Sequence, residues 1–473
     1  MSAPTTILAN RVFDGERFLE GEHVLGFSTD GIHALRSASG AEIARLASAA
    51  PGSGTVVDLR GHTLVPGLIN THAHTVRGGA FEADEPPAPV QAIRNFHESL
   101  RAGVTTMADM GATAPLMAAV RAHLARHPTA GPSLLAAGPL VTAPGGYPLD
   151  WMPPLLRLAG VALPCDTERD GAAAVDRIAR AGMDHVKIAV MHQTYAERPI
   201  PAVEPKVVRA VVAEAHRLEL RVLAHAHSAI DYRVAVEAGV DALMHSCFDP
   251  LSPEILERIA DRGIQVCPTL WVFDSACNNH EHRHDRDPDL LAAVEEPIRG
   301  SWRRFAEAYA ASGDVVPPGI AGGLPKQRSF EAVRNAAANL KLLAEAGVPI
   351  AFGNDANYGF SVVSRPMNEL RAMHRAGLDA VACLRAATST AAALLGRKDR
   401  GRLAPGTRAD LLAIAGDPRD DLEALVRPLA IWANGHPVLA PPSRLGLAGA
   451  LARGYAGTIL ESLPRLAATL RAG

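Results

Sequence analysis

The pattern of apolar and polar positions changes character twice along this chain. Over residues 1–63 the apolar runs are short (TTILANRVF, EHVLGFST, GIHALR, TVVDL) and separated by Gly and Asp turns. None has helical period, so this stretch reads as a small β module. From residue 64 strand-like apolar runs alternate with Ala-rich amphipathic segments, the mark of βα units around a parallel sheet. Eight runs stand out: LVPGLIN, GVTTMAD, SLLAAGPLV, HVKIAV, RVLAHAH, ALMHS, QVCPTL and PIAFGND. Helices are predicted between them, for example over 204–218, 252–262, 330–346 and 364–376. Eight such units fit a barrel with insertions better than an open doubly wound sheet. No GxGxxG follows an early strand, which argues the same way.

After a last helix at 379–395, GRLAPGTRADLLAIAGD and AIWANGHPVL return to strands and turns. The expected fold is α/β: a distorted (β/α)8 TIM barrel over 64–395, with a composite β-sandwich formed by 1–63 and 396–440. A helical tail, 441–473, places Leu445, Leu447, Leu451, Ile459, Leu460 and Leu463 at helical spacing. That tail suits packing on the barrel or a contact in a homo-oligomer. Two connections are long, 141–169 and 271–329, the second containing NNHEHRHDRDPD. Both follow strand C-termini, where barrel active sites lie, so each is read as a lid or as solvated loop.

Charge and composition narrow the partners. With 47 Lys plus Arg against 50 Asp plus Glu, the chain has no basic footprint for nucleic acid and no polybasic membrane anchor. Its beginning lacks the basic and apolar regions of a signal peptide, and no apolar stretch reaches the roughly 20 residues of a membrane span. The five cysteines are scattered and never spaced CxxC. They point to a reducing, cytoplasmic setting and away from a thiolate zinc site.

The candidate chemistry sits at strand ends. His72 and His74, in VPGLINTHAHT, are two residues apart on one strand, so both imidazoles face one side. Lys187 lies inside the apolar run DHVKIAV; alone it reads as a buried stem whose ammonium finds water or a carboxylate. His225 in RVLAHAHS and His245 in ALMHS each end an apolar run, and alone each reads as a structural histidine. Asp355 in AFGNDA ends the eighth, where a cation would offset the cost of burying a carboxylate. Together, five strands deliver nitrogen or oxygen donors to one rim. Such a set, without thiolates, suits Zn(2+) or a similar divalent ion. Tyr147, Trp151, Trp271 and Tyr358 follow strand ends and are candidates to line a substrate pocket, and Arg328 and Lys326 to meet a substrate carboxylate. His280, His282 and His284 read as a His-rich loop rather than an accessory site.

These motifs resemble the amidohydrolase superfamily, in its imidazolonepropionase-like and prolidase-like branch. VPGLINTHAHT looks like its first-strand motif and AGVTTMADMG its second, while VKIA, AHAHS, MHS and FGNDA look like its ligand strands four, five, six and eight. ATSTAAALLGRKDRGRLAPGTRADLLAIAGDP is similar to its exit from the barrel. The resemblance implies two zinc ions, one held by His72, His74 and Asp355 and the other by His225 and His245, bridged by a carboxylated Lys187. Two departures lie outside that ligand set: TAPGGYP lacks a His that relatives commonly carry after the glycine pair, and Ala108 stands where many have Arg before Asp109.

The expected activity is cleavage of an amide (C–N) bond in a small-molecule or dipeptide-like substrate, by attack of a metal-bridging hydroxide. His245 and Asp355 would be catalytic, Asp355 passing the proton to the leaving nitrogen, with His227 at the substrate or its oxyanion. The alternatives are a mononuclear deaminase or cyclic-amide (imidazolone or lactam) hydrolase, with Lys187 a free amine, and, from another class, a non-catalytic binding protein on the same fold.

Overall fold

The all-apolar runs become parallel strands buried on both faces, which is why they do not alternate. A computed structural model of the chain describes residues 4–48, 54–81, 89–152, 154–195, 197–315, 325–356, 358–438 and 444–472. Leu68–Ala73, Val104–Asp109 and Ser133–Ala136 form a three-stranded parallel sheet. Leu140–Thr142, His185–Ala189, Arg221–His225, Ala242–Met244 and Gln265–Cys267 continue in a second, six-stranded one. Its register aligns Ala189, His225, Met244 and Cys267 across neighbouring strands, so the residues that end these runs share one rim.

The run SLLAAGPLV, expected as one strand, is divided. Gly138 has a φ of +69° and no room for a Cβ, which would lie 2.8 Å from Met183 Cγ. The first half pairs with Val104–Asp109 and the second with His185–Ala189. Asp184 spans the break, its N–H donating to Ala136 O at 2.8 Å and its carboxylate accepting from Ala136 N at 3.0 Å. The eighth run is not a regular strand. Single parallel bridges tie it to both neighbours, Ile350 to Val266 and Ala356 to Ala73. Asp355, at φ +47°, takes the backbone out of β geometry there. In place of one expected eight-stranded ladder, the described residues thus form two parallel sheets with the segment 350–356 between them.

The terminal strands make two further sheets. One has the order Gly31–Ser37, His23–Ser28, Thr5–Ala9, Thr55–Asp58. The other joins both ends of the chain: His436–Pro437, Ala430–Ala433, Leu411–Ala415, His62–Pro66, Val12–Phe13, Phe18–Leu19. Ile7, Phe27, Leu411 and Trp432 belong to one apolar cluster drawn from both. The N-terminal module also holds a helix the pattern did not announce, Gly40–Ala47, capped by Ser39. It buries only Ile43, so it shows little apolar period.

Both long connections are more ordered than plain loops. Residues 162–164 return to pair with Leu140–Thr142. The 271–329 connection, of which 316–324 lie outside the described residues, folds into helices including Leu270–Cys277 and Glu296–Ala311. They share an apolar core of Trp271, Phe273, Trp302, Phe305 and Phe360. The expected helix 379–395 is two, Ala380–Ala386 and Ser389–Leu394, broken at Thr388. The tail is one helix, Arg444–Ala472. Leu447 and Leu451 are buried, and Gly454 and Gly457 let it approach Leu116 and Pro115 of this same chain. Ile459, Leu460 and Leu463 are exposed, and the Leu445 side chain lies outside the described residues. Among the described residues no helix is long and apolar enough to cross a membrane.

Candidate metal centre

Backbone geometry at one rim fixes the histidine and aspartate donors. Asn70 Oδ1 accepts from His72 N at 3.1 Å, and Asp355 N donates to His72 O at 2.9 Å, which locks the first run to the eighth. His72 Nε2 and His74 Nε2 both lie 3.3 Å from Asp355 Oδ1. His245 follows Met244 at φ +88°, and its Nδ1 is 3.7 Å from Asp355 Oδ2 and 2.8 Å from Thr269 Oγ1. Thr269 is itself at φ +48°. Three non-glycine residues in the left-handed region, His245, Thr269 and Asp355, thus gather at one rim, each at a cost of roughly 1–3 kcal/mol. Such strain persists where surrounding structure over-determines a site.

The structure brings these donors into two groups with one shared member. His72, His245 and Asp355 hold ligand atoms within 4.8 Å of one another, as do His225, His227 and His245. Among the described residues no other such group occurs, so His280, His282 and His284 form none. His227 was expected at the substrate; here its position also suits a ligand.

The donor atoms fit a divalent ion on grounds of polar satisfaction. Buried polar atoms in folded proteins are almost always hydrogen-bonded. Yet Lys187 Nζ, His72 Nδ1, His225 Nε2, His227 Nδ1, His245 Nε2 and Asp355 Oδ1 are buried and accept or donate no hydrogen bond. Electrostatics agree. Burial, with Lys187 and neighbouring imidazoles adding to it, holds His72, His225 and His245 well below the usual histidine range. His227 is pushed down to about 3, mainly by burial. Burial also pushes Lys187 from 10.5 down to about 7, against the pull of Asp355. Neutral imidazoles, and an amine whose neutral form is populated near pH 7, are the protonation states that metal ligation requires.

Aromatic side chains close over the donors. Tyr147 stacks on His225 with centroids 4.3 Å apart, and Trp151 is 6.2 Å from Tyr147. Tyr358 meets His74 edge-on at 5.1 Å. Trp271 is instead in the core of the insertion, its Nε1 donating to Phe360 O. Arg328 pairs with Glu197 at 2.7 Å and Asp249 at 2.6 Å, and Lys326 lies over the Tyr309 ring.

Three residues that the sequence reading passed over are closer to the centre. Tyr195 Oη is 3.0 Å from His227 Nε2, and Phe248 and Phe273 pack on the His227 ring at 4.8 and 5.2 Å. All three come shortly after a strand end, the signal that singled out Tyr147. Burial pushes both the Tyr147 and Tyr195 phenols well above their ordinary range, so they remain hydrogen-bond donors.

One supporting contact gives a direct test of local stability. Glu369 is fully buried, and its two oxygens accept from Leu270 N at 2.8 Å and Trp271 N at 2.7 Å, just beyond Thr269. Burial pushes this carboxyl up to about 8 while the two N–H donors pull it down. Glu369→Ala leaves both donors buried without a partner and should destabilise the protein by roughly 2–4 kcal/mol in denaturant titration. A change under about 0.5 kcal/mol would mean that water or a neighbour replaces the carboxylate.

Comparison with known proteins adds a family pattern to this geometry. The amidohydrolase family profile matches residues 63–438. An imidazolonepropionase from Deinococcus deserti is 29% identical over 385 residues, covering 78% of this chain and 82% of the relative. Among solved structures, a Xaa-Pro dipeptidase with bound methionine superposes with a TM-score of 0.71 at 21% identity, covering 92% of this chain and 99% of the other. The ochratoxinase of Aspergillus niger does so with a TM-score of 0.69 at 20% identity, covering 93% and 96%. At those identities the structural likeness speaks for the fold.

Proposed function

This chain belongs to the amidohydrolase family and is a hydrolase acting on carbon–nitrogen bonds, and from that premise we propose that it cleaves an amide in a small-molecule or dipeptide-like substrate at a pair of zinc ions. His72, His74 and Asp355 would hold one ion and His225 and His245 the other, with Lys187, carboxylated on its amine, as the ligand common to both. The carrying observation is that five of these six residues, His72, Lys187, His225, His245 and Asp355, each bury a polar atom that no hydrogen bond satisfies. We further propose that the eight βα units close as a barrel through 350–356, with 1–63 and 396–440 forming a composite sandwich, in a cytoplasmic protein. Backbone bridges from 350–356 to both neighbouring strands support the closure.

When bound, the ions supply Lewis-acid polarisation of the carbonyl and acidification of water. The protein's own groups do the rest. Asp355 accepts a proton from the attacking water and delivers it to the leaving nitrogen, so water and amide become carboxylic acid and amine. Tyr195, kept protonated by burial, donates either to His227 Nε2 or to the substrate oxygen as charge develops on it. Tyr147 shields His225 from solvent, and Phe248 and Phe273 offer apolar surface to the group beside the scissile bond. Arg328 already has two carboxylate partners, so a substrate carboxylate would have to displace one of them.

Tyr195→Phe should lower kcat by about 10- to 100-fold while metal content stays the same. Unchanged kcat would remove the phenol from the mechanism. The broader test is a screen of amides, lactams and esters before and after chelator treatment. Amide cleavage lost with chelator and restored by zinc is the expected result; metal-independent activity, or none on any C–N substrate, contradicts it. The imidazolonepropionase relative favours one second reading, a cyclic-amide hydrolase using a single ion. That reading predicts one ion per chain and a free Lys187 amine.

A further inference from the structure

We propose a second binding site, for a small organic molecule carrying two or more anionic groups, in a cleft separate from the metal centre. The cleft has a volume of about 600 Å³. It lies between the helix Pro89–Arg101, residues 287–292, the start of the helix Pro366–Arg375, and residues 426–427. Small-molecule sites are concave spaces of about 300–1,000 Å³ with apolar walls and a few convergent polar groups, and this cleft has that size and make-up.

Five guanidinium groups line it: Arg94, Arg101, Arg365, Arg371 and Arg427. Two are neutralised in place. Arg94 pairs with Glu98 at 2.5 Å and Glu295 at 3.1 Å, and Arg371 grips Glu423 through Nε at 2.6 Å and Nη2 at 2.5 Å. The other three have no carboxylate partner among the described residues. Arg365 donates only to the carbonyls of Asp289 and Ser364, at 3.0 and 3.3 Å. Arg101 and Arg427 are exposed and make no ion pair or hydrogen bond among the described residues.

The cleft's own carboxylates do not pair with those three. Glu98 is taken by Arg94, while Asp287 caps a short helix by accepting from Asp289 N and Leu290 N. Asp289 is the third, so the three unpaired guanidiniums outnumber the two lining carboxylates, Asp287 and Asp289, that no arginine holds among the described residues. Unpaired arginines on a convex surface are simply hydrated. Brought together in a concavity they repel, and an anion relieves the repulsion through bidentate, charge-assisted hydrogen bonds. Buried Leu290 and Met367 provide an apolar wall beside them, which suits an organic rather than an inorganic anion. Phosphate and carboxylate groups satisfy this chemistry equally well.

Calorimetric titration of the full chain tests the site, using pyrophosphate and tricarballylate as polyanions and acetate as a single-charge control. Each titration is run on zinc-loaded protein and on chelator-stripped protein, which separates this cleft from chelation at the metal centre and from the proposed hydrolysis. One polyanion should bind with one-to-one stoichiometry in both preparations, at least about tenfold more tightly than acetate. The tighter of the two identifies phosphate or carboxylate as the preferred group. The double variant Arg101→Ala/Arg427→Ala should weaken that binding by about tenfold or more, with melting temperature and amide hydrolysis unchanged. No saturable binding of either polyanion to stripped protein, or an affinity unaltered in the double variant, would overturn the proposal.

Discussion

Asp355→Asn should fold normally and lose at least about 10³-fold in kcat, because it removes both a proposed ligand and the proposed proton carrier in one step. Asparagine matches aspartate in size and tolerates a positive φ, so the backbone at +47° need not move. The neutral amide cannot take a proton from water, and it offers His72 and His74 no charge at the oxygen that lies 3.3 Å from both. Asp355→Gly separates function from strain. Glycine relieves the left-handed penalty, so the metal-free variant should be more stable than the parent by about 1 kcal/mol while remaining inactive. Steady-state kinetics and denaturant titration check the two effects. Retention of kcat within tenfold in Asp355→Asn would refute the proton-carrier role.

Lys187→Met should have opposite effects on activity and on metal-free stability. Its amine is buried with no hydrogen-bond partner, and burial lowers it from 10.5 to about 7. The folded protein therefore releases a proton that the unfolded chain keeps between pH 7 and 10.5, so folding stability contributed by this group rises with pH across that window. Below pH 7 both states are protonated and the full penalty stands, on the order of 5 kcal/mol. Without metal, Lys187→Met should be more stable than the parent at pH 6, and the advantage should shrink as pH approaches 10. With zinc and bicarbonate the order should reverse, because the variant lacks the proposed bridging ligand; its metal content and its hydrolysis should both collapse. A pH-independent difference in metal-free stability would show that Lys187 is not titrating in this window.

The donor set was readable because each member interrupts or ends an otherwise apolar run, where a polar side chain needs a reason. His225 and His245 end such runs, and Lys187 sits inside one. The surroundings were less legible because they arrive from separate connections. Tyr195, Phe248 and Phe273 meet on His227 from two loops and the helix Leu270–Cys277, and no local period announces that meeting. Glu369 lies in PMNELRAMHR, where a charge reads as surface, yet it is fully buried against Leu270 and Trp271. SLLAAGPLV was read as one strand, and the pairing of its two halves with different neighbours depends on Asp184, forty-odd residues away. The 271–329 connection looked like loop because its apolar residues serve a local core of their own rather than the main one.

Metal stoichiometry combined with carbon-13 NMR after incubation with labelled bicarbonate probes the bridged pair most directly. Two divalent ions per chain and a single carbamate carbon resonance, both lost in Lys187→Met, are the predicted outcome. One ion per chain with no carbamate signal would contradict it.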